Sequence, residues 1–257
     1  MFFSSVIRLF KRGNVCVVGL RGTGKDVLFG NVIARRRSPY VSNLDYSSED
    51  SDYHELDFNA LDMGGNTYLN LLEGKVNYYR YPYPSGSDIY ISDAGIYLPA
   101  QYCNELNRKY PHLPMYFALS RQVSHNNVHM NVQNLNRAWD KIREQSDIYI
   151  YCRRCIIFCG FVFHWIRLYD KYESCVARVK PCRVQEPWFN KEAKVNAQIY
   201  RDNFFNQHGK VKNKFLIYRH RSGHDTFYFE KLFEGGVKVE EEKDYEEIHP
   251  FRKKAKK

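Results

Sequence analysis

The chain has 257 residues, 44% of them hydrophobic, which is enough for a folded α/β core in one domain with appendages or in two small domains. This composition excludes a disordered chain. The formal net charge of +10, from 39 Lys and Arg against 29 Asp and Glu, predicts a surface that attracts phosphate, nucleic acid or an anionic membrane.

The chain begins with an amphipathic segment. Apolar side chains stand at positions 2, 3, 6, 7 and 10, a helical spacing, and the charges come at the end of the segment. A cleavable signal would carry its charges first. We expect a short helix that either covers the edge of the core or lies on a membrane surface.

A strand, a glycine-rich loop and a helix follow in that order. Residues 14–19 read Asn-Val-Cys-Val-Val-Gly, a short β-branched run that suits a parallel strand buried on both faces. Apolar residues at helical spacing predict a helix from Lys25 to about Arg37, which Ser38 and Pro39 end.

The loop between them has the pattern of a phosphate-binding loop. Residues 19–26 read Gly-Leu-Arg-Gly-Thr-Gly-Lys-Asp, that is, a glycine, four residues, Gly-Lys and then a position that is usually Ser or Thr. Backbone N–H groups of such a loop bind phosphates, and Lys25 is placed to contact the β- and γ-phosphates. The predicted nucleotide-binding residues are Gly19, Leu20, Arg21, Gly22, Thr23, Gly24, Lys25, Asp26 and Val27.

Asp26 departs from this pattern, because a hydroxyl usually ligates Mg²⁺ at its position. A carboxylate is also a magnesium ligand, but its charge near the phosphates should make nucleotide affinity depend more on the metal. On this interpretation, serine at position 26 should lower that dependence or speed hydrolysis. Alternatively, Asp26 is a helix N-terminal acid with no role in metal binding.

The next segments lead to a second acid. Residues 40–44 predict a strand, and residues 38–74, with eight acids and no Lys or Arg, predict an acidic, mobile loop. Residues 78–83 predict an aromatic strand, and residues 89–92 predict a core strand that ends at Asp93.

Asp93 is either a metal-orienting acid at the carboxyl edge of a parallel sheet or a plain turn former. Ala94 follows where many ATPases of this type have a catalytic Glu. The absence of that Glu predicts slow hydrolysis or a base from elsewhere.

The alternation of helices and strands continues to residue 145 and predicts a mostly parallel sheet. We expect helices over 100–110 and 115–123, a strand over 127–133 and a helix over 135–145. Gln133 at the strand end either senses the γ-phosphate or its attacking water, or bonds a loop. Each of the arginines that flank this segment is either an arginine finger across a subunit interface or a solvated side chain: Arg121, Arg137 and Arg143.

Beyond Asp147 the pattern changes to consecutive strands, which predict an antiparallel extension over 148–152, 155–168 and 175–179. A helix near 193–205, a strand over 215–218 and an element over 227–233 predict a small C-terminal part, and charge runs predict a disordered tail. The predicted domains are a core over 1–187, an appendage over 188–236 and a tail over 237–257.

The seven cysteines lie within strand-like or helix-like runs, which predicts free thiols in a reducing, cytoplasmic compartment. Cys152 and Cys155 form one Cys-x-x-Cys, but no later pair repeats this spacing. Buried thiols are therefore favoured over a zinc site. The apolar run over 155–166 is shorter than the approximately 20 residues of a membrane span, so we expect a core strand there.

The order of these parts resembles the zonular occludens toxin (Zot)-like family, which contains the inner-membrane assembly and export ATPases of filamentous phages and belongs with the FtsK/HerA-type DNA-pumping ATPases. The resemblance spans roughly residues 14–235. It rests on the phosphate loop, the Asp93 strand, Ala118-Leu119-Ser120-Arg121-Gln122, Asn131-Val132-Gln133 and His224-Asp225-Thr226-Phe227-Tyr228-Phe229.

The resemblance implies a P-loop NTPase with ATP and Mg²⁺ as cofactors, metal contacts at Asp26 and Asp93, and a sensor-like Gln133. It implies a homo-oligomeric motor for assembly, packaging or export of a small DNA virus, in the cytoplasm or at the inner face of the host membrane. Single-stranded DNA, phage coat or assembly proteins and an anionic membrane are the implied partners. The alternative is a nucleotide- or nucleic-acid-binding accessory protein that does not hydrolyse ATP.

Overall fold

The computed structural model describes residues 3–46, 51–75, 83–84, 86–123, 126–184 and 191–221, with the backbone alone at residues 3, 5, 121–123 and 191. The strands are β1 (Val15–Val18), β2 (Tyr40–Ser42), β3 (Tyr53–Glu55), β4 (Asp88–Ile91), β5 (Val128–Val132), β6 (Ile148–Phe158), β7 (Phe161–Tyr169) and β8 (Val211–Arg219).

Helices connect and cover these strands. The α-helices are α1 (Phe3–Arg12), α2 (Lys25–Arg36), α3 (Phe58–Leu72), α4 (Ala94–Tyr97), α5 (Cys103–Lys109), α6 (Leu113–Val123), α7 (Asp140–Arg143), α8 (Tyr172–Val176) and α9 (Lys191–His208). Two 3₁₀ turns lie at Ala100–Tyr102 and Leu135–Arg137.

The strands form one sheet in the order β3-β2-β4-β5-β1-β6-β7-β8. The pairs from β3 to β6 are parallel, and β6-β7 and β7-β8 are antiparallel. The predicted fold class is therefore confirmed: a P-loop NTPase α/β fold with a mostly parallel sheet, flanking helices and an antiparallel extension. The carboxyl ends of β1, β4 and β5 meet at one edge, since these strands are parallel and β5 lies between the other two.

The core lies around β1, whose four residues are all buried. Helix α1 packs into this core: Val6 and Phe10 are fully buried, and the Phe10 ring lies 6.0 Å from the Phe29 ring of α2 in an edge-on contact. The interpretation of α1 as a helix that covers the core is thus the one that the packing supports.

The prediction of an acidic, mobile loop over 38–74 is wrong in part, because residues 53–55 form β3 and residues 58–72 form α3. Asp57 caps α3 by accepting a hydrogen bond from the Asn59 N–H at 2.8 Å. The buried stripe of α3 contains Leu61, Gly64, Gly65 and Tyr68, at helical spacing. Two of its four members are glycines, which hide the apolar periodicity in the sequence.

Two further predictions differ from the structure. The prediction of a strand over 175–179 is wrong, because Cys175 and Val176 form the end of α8, a short helix in which Ser174 and Cys175 are buried. So short an apolar run does not define its own period. The helix expected over 135–145 is divided into a 3₁₀ turn and α7, because Ala138 and Trp139 take extended backbone angles between them.

Strand β8 pairs with β7 along its whole length, although the sequence assigns it to an appendage. The division into three domains stays a prediction. The strand expected over 78–83 lies almost entirely outside the described residues, as do the element over 227–233 and the charged tail.

Across the described residues, no helix is both long and apolar enough to span a bilayer.

Candidate functional site

The phosphate loop leaves the buried end of β1 and turns directly into α2. Gly19 N–H donates to the Val132 carbonyl of β5 at 3.1 Å, which fixes the start of the loop against the neighbouring strand. Gly22 and Gly24 have φ angles of 75° and 81°, in the left-handed region that favours glycine. A side chain on Gly24 would also overlap Cys155 of β6. The loop conformation therefore depends on both glycines.

The loop offers unused donors where a phosphate would lie. In the part of the chain that the structure describes, the backbone N–H groups of Gly22, Gly24, Lys25 and Asp26 donate to no acceptor. Lys25 is 5% exposed, and its amine donates to the Leu20 carbonyl at 3.3 Å. Together with the dipole of α2, these groups fit a phosphate.

Asp26 points from the first turn of α2 toward the ends of β4 and β5. Its Oδ1 accepts hydrogen bonds from Ser92 Oγ at 2.7 Å, from Asn131 Nδ2 at 2.7 Å and from the Tyr46 hydroxyl at 3.3 Å. Within the described chain no donor reaches Oδ2. The carboxylate is thus held through one oxygen while the other stays open.

Three residues of this network were not predicted from the sequence: Ser92, Asn131 and Tyr46. Ser92 directly precedes Asp93, and Asn131 lies two residues before Gln133; Asp93 and Gln133 are the residues that the sequence predicts. The sequence signal is a polar residue at the end of a buried strand, and it does not tell which of the neighbouring polar residues contacts Asp26.

The backbone around Ser92 is fixed by neighbouring strands. The Ser92 N–H donates to Asn43 Oδ1 at 2.7 Å, and Asn43 Nδ2 donates to the Ser92 carbonyl at 2.9 Å. The next N–H, of Asp93, donates to Asn131 Oδ1 at 2.8 Å. Ser92 is 6% exposed and Asn131 is fully buried, so the arrangement is rigid and shielded.

Asp93 lies close to the phosphate loop. Burial, and then the negative charge of Asp26, raise the pKa of the Asp93 carboxyl group, whereas the charges of Lys25 and Arg21 and a hydrogen bond from Gln133 oppose that rise. The site thus brings together Asp26, Asp93, Lys25, Arg21 and Gln133, as expected from the parallel sheet. Their roles stay predictions.

The three candidate arginines differ in what their side chains do. Arg137 is exposed on the 3₁₀ turn that follows β5. Arg143 donates to the Leu135 carbonyl at 3.1 Å, and its guanidinium lies 5.0 Å from the centre of the Tyr172 ring. The Arg121 side chain lies outside the described parts. Of the two whose side chains are described, Arg137 is thus the one available to a neighbouring subunit.

His164 of β7 anchors the loop from the other side. Its Nε2 lies 3.0 Å from the Thr23 carbonyl and its Nδ1 3.3 Å from the Tyr218 hydroxyl. Burial lowers the pKa of His164 to about 4, so the ring is neutral near pH 7. A carbonyl only accepts, so Nε2 carries the proton and Nδ1 accepts from Tyr218.

The residues present fit a nucleotide-bound Mg²⁺. Among the described side chains, no group of three or more His, Cys, Asp or Glu is placed to hold a metal ion on its own. Mg²⁺ at a nucleotide site needs fewer, because one or two carboxylates suffice when phosphates and water complete the shell. The open Oδ2 of Asp26 and the nearby Asp93 carboxylate meet that need.

Cys152 and Cys155 are free thiols beneath the loop. Burial raises the pKa of Cys155 to about 11 and that of Cys152 further, so both are protonated near pH 7.

A basic cleft lies away from the loop, between the antiparallel strands and α9. Tyr200, Phe204 and Asn213 line it, and no acid is among its described lining residues. Four cationic side chains line it as well: Arg153, Arg167, Lys180 and Arg183. Arg167 is 8% exposed and donates to the carbonyls of Arg178 and Val179, each at 3.0 Å. It shapes the cleft, while the other three charges face solvent.

No protein-family model and no curated protein matches this sequence. Among solved structures, the fold is similar to the N-terminal domain of zonular occludens toxin from Neisseria meningitidis, with a TM-score of 0.36 and 10% identity, over 70% of this chain and 96% of that chain. It is similar to the genome packaging NTPase B204 of Sulfolobus turreted icosahedral virus 2, in complex with ATP-gammaS, with a TM-score of 0.38 and 11% identity, over 66% of this chain and 95% of that chain. It is also similar to the Legionella pneumophila ATPase DotB, with a TM-score of 0.36 and 10% identity, over 96% of this chain and 63% of that chain.

The strand order of the sheet, together with the strand, loop and helix around Lys25, itself defines the fold.

Proposed function

We propose that this protein binds ATP with Mg²⁺ at the loop over residues 19–27 and hydrolyses it as one subunit of a homo-oligomeric motor. The observation that carries the proposal is the set of unused N–H donors beside the buried Lys25 amine, which together match the needs of a polyphosphate. The resemblance of the sequence to the Zot-like family supports assembly, packaging or export of a small DNA virus as the task of the motor.

Each residue of the site has a proposed part in binding or turnover. The loop N–H groups and Lys25 hold the phosphates, and Asp26 and Asp93 are the carboxylates on the metal side. Bound Mg²⁺ would neutralise charge on the phosphate oxygens. Gln133, which donates to Asp93, is placed to orient a water molecule. Ala94 leaves the next position without a carboxylate, which supports slow turnover.

A motor of this kind needs partners. We propose that Arg137 of one subunit reaches the site of the next, as an arginine finger does. Single-stranded DNA and phage coat or assembly proteins are the proposed cargo and partners. The cytoplasmic side of an anionic host membrane is the proposed location.

The nucleotide part is tested with Lys25→Ala. Because a hydrogen bond from a charged group contributes about 1.5–3 kcal/mol, ATP affinity in the variant should fall about 10- to 100-fold. Thermal stability should change little, since the Lys25 amine bonds a single carbonyl within the described chain. Calorimetric titration of ATP measures the affinity, with Lys212→Ala, an exposed lysine of β8, as the matched control. Equal ATP affinity in the parent and Lys25→Ala proteins would remove the proposal.

The second candidate function is nucleic-acid binding by an accessory protein that does not hydrolyse ATP. The basic cleft with its Tyr200 and Phe204 rings favours it, because cations that track phosphates and rings that stack on bases are how single strands are bound. Steady-state ATP hydrolysis with and without single-stranded DNA separates the two functions. A motor shows turnover that DNA stimulates, whereas the accessory protein binds DNA with no turnover in either case.

A further inference from the structure

The metal side of a P-loop site usually contains a hydroxyl and a carboxylate. In P-loop NTPases the Mg²⁺ is held by the Ser or Thr of the phosphate loop and by an Asp at the end of a neighbouring strand. Here the loop position is Asp26, and the strand-end side chain that contacts it is Ser92, at 2.7 Å. The hydroxyl and the carboxylate are both present, but here the carboxylate is on the phosphate-loop side and the hydroxyl is at the end of the neighbouring strand.

We infer that the members of this pair have exchanged places: Asp26 is the direct ligand of the divalent cation that accompanies ATP, and Ser92 is the positioning residue that holds the Asp26 carboxylate. The inference rests on the proposed function, since it concerns the cation of the bound nucleotide. It gives Ser92 a role that its sequence position alone does not indicate.

The hydrogen bonds of Asp26 orient it for this task. Three donors converge on Oδ1, from Ser92, Asn131 and Tyr46. None of the described donors takes Oδ2, so one oxygen is fixed and the other is left for a cation. Carboxylate ligands of metals are commonly held in this way by hydrogen bonds from a surrounding shell.

The same contacts argue against a helix-capping role. A capping acid accepts from the free N–H groups of the first helical turn. Asp26 lies beyond the N-cap of α2, which is Gly24, and its described hydrogen bonds come from the residue after β4, from β5 and from the segment after β2. The carboxylate therefore faces the sheet edge and not its own helix.

Ser92 is held where the exchange requires it. Asn43 bonds both its N–H and its carbonyl, at 2.7 and 2.9 Å, and Asn131 Nδ2 lies 3.3 Å from its hydroxyl. The Ser92 hydroxyl donates to Asp26 and also lies in hydrogen-bond contact with the Tyr46 hydroxyl. The pair keeps the single negative charge and the single hydroxyl of the usual arrangement. The hydroxyl that donates is now at the end of the strand, and the carboxylate that accepts is now on α2.

Asp93 follows Ser92 by one residue and serves as the internal contrast. Its carboxylate lies near Gln133, Arg21 and Lys25, whereas the hydrogen bond to Asp26 comes from Ser92. Under the exchange, Asp26 is the direct ligand and Asp93 is a second carboxylate on the metal side, so Asp26→Asn should lower cation-dependent binding more than Asp93→Asn does.

The test compares the parent, Asp26→Ser, Ser92→Asp and the double variant Asp26→Ser/Ser92→Asp. Calorimetric titration with ATPγS is performed in excess Mg²⁺ and in EDTA, and the ratio of the two affinities is the readout. Each single variant should bind ATPγS about 10- to 100-fold more weakly in excess Mg²⁺, so that the Mg²⁺-dependent gain falls, the usual effect of disturbing a metal ligand or its support. The double variant restores the usual pair and should recover to within a few-fold of the parent.

Losses that simply add in the double variant would overturn the exchange, because independent sites give additive effects. So would an Asp26→Ser protein with less Mg²⁺ dependence and full affinity, as the sequence pattern alone predicts. Ser92→Thr, which keeps the hydroxyl, should retain the Mg²⁺-dependent gain, and Ser92→Ala should lose it.

Two further measurements keep the outcome interpretable. Asp26→Asn conserves shape, so if a serine variant fails to fold, Asp26→Asn in the same titration decides: unchanged affinity in excess Mg²⁺ overturns the exchange, and affinity in Mg²⁺ lower by about tenfold or more supports it. If parent protein binds ATPγS in neither buffer, the proposed function itself fails. If parent binding depends on Lys25 but all Asp26 and Ser92 variants keep the same ratio, the exchange alone fails.

Discussion

Asp26 places a negative charge where the phosphates of a nucleotide would lie, and the residues around it make that charge tolerable. Asn131 and Ser92 are buried and donate to it, which compensates the cost of removing the carboxylate from water. The same charge contributes, after burial, to the raised pKa values of Tyr46 and Asp93. A bound cation would neutralise this charge, so nucleotide affinity should depend on it.

His164 links the loop to the antiparallel strands, and its titration should be visible in protein stability. In the folded protein its pKa is lowered to about 4 from the ordinary 6.5 by burial. The unfolded chain therefore binds more protons below pH 6.5, so stability falls as the pH drops from about 6.5 to about 4. In the parent, this effect should lower the free energy of unfolding by about 3 kcal/mol over that pH range, and His164→Gln should abolish this decrease.

Urea unfolding at a series of pH values measures this effect. The pKa of His129 is also well below its ordinary value because of burial, so the variant should keep part of the parent's pH dependence. Parallel curves for the parent and His164→Gln would contradict a neutral, buried His164.

The sequence was sufficient for the elements that carry their own pattern. β1 and β4 contain short apolar runs, β5 alternates apolar and polar residues, and the glycines between β1 and α2 define the loop. Helix α3 was missed because Gly64 and Gly65 occupy its buried stripe, where the close approach of the His112 backbone leaves no room for a side chain at Gly65. That constraint comes from packing, which a single sequence does not display.

The pairing of Asp26 with Ser92 could not be predicted for a related reason. A strand places alternate residues on opposite faces, so the residue that meets α2 depends on register, and register is fixed by neighbouring strands. β4 pairs with β2 and β5 so that Ser92 follows at the sheet edge beside Asn43 and Asn131. From the sequence alone, Ser92 and Asp93 are equally good candidates for the residue that contacts Asp26.

The antiparallel strands and α9 create the basic cleft, and its role can be tested at that scale. Strand β6 has a register shift between Cys152 and Arg154, and bulges of this kind change the direction of a side chain, here Arg153. Removing two phosphate contacts with Arg153→Gln/Arg183→Gln should weaken binding of single-stranded DNA. It should also lower the slope of log affinity against log salt by about 1.4.

Fluorescence anisotropy with a labelled oligonucleotide at several salt concentrations gives this slope. The matched control is Arg108→Gln/Lys109→Gln on α5, which changes the net charge by the same amount. An equal loss in both double variants would mean that overall charge, and not the cleft, attracts DNA.

At the scale of the whole molecule, the proposed motor would have a site whose phosphate-loop side comes from one subunit and whose arginine side comes from a neighbour. The phosphate loop, Asp26, Asp93 and Gln133 come from one subunit, at the carboxyl edge of its sheet. Arg137 is exposed on the turn after β5, whereas the Arg143 guanidinium packs on Tyr172 and bonds the Leu135 carbonyl. An exposed arginine near this edge suits a site shared between subunits.

Mixing two inactive variants tests whether the site is shared. Lys25→Ala should bind ATP about 10- to 100-fold more weakly and therefore be inactive at ATP concentrations near the parent Kd. Arg137→Ala should lose on the order of 10³-fold in turnover with little change in affinity, the usual effect of removing an arginine finger. In an oligomer assembled from equal amounts of both, about a quarter of the interfaces join an intact loop to an intact arginine, given random assembly around a closed ring. ATP hydrolysis should therefore reappear in the mixture at up to that fraction of the parent rate.

Arg108→Ala replaces Arg137→Ala in the control, and it should hydrolyse ATP normally without mixing because its side chain is exposed on α5. A mixture as inactive as its components would mean that the arginine acts within its own subunit. Subunits that stay monomeric with ATP and DNA, or Arg137→Ala protein with normal turnover, would remove the motor and leave the accessory nucleotide- or nucleic-acid-binding protein.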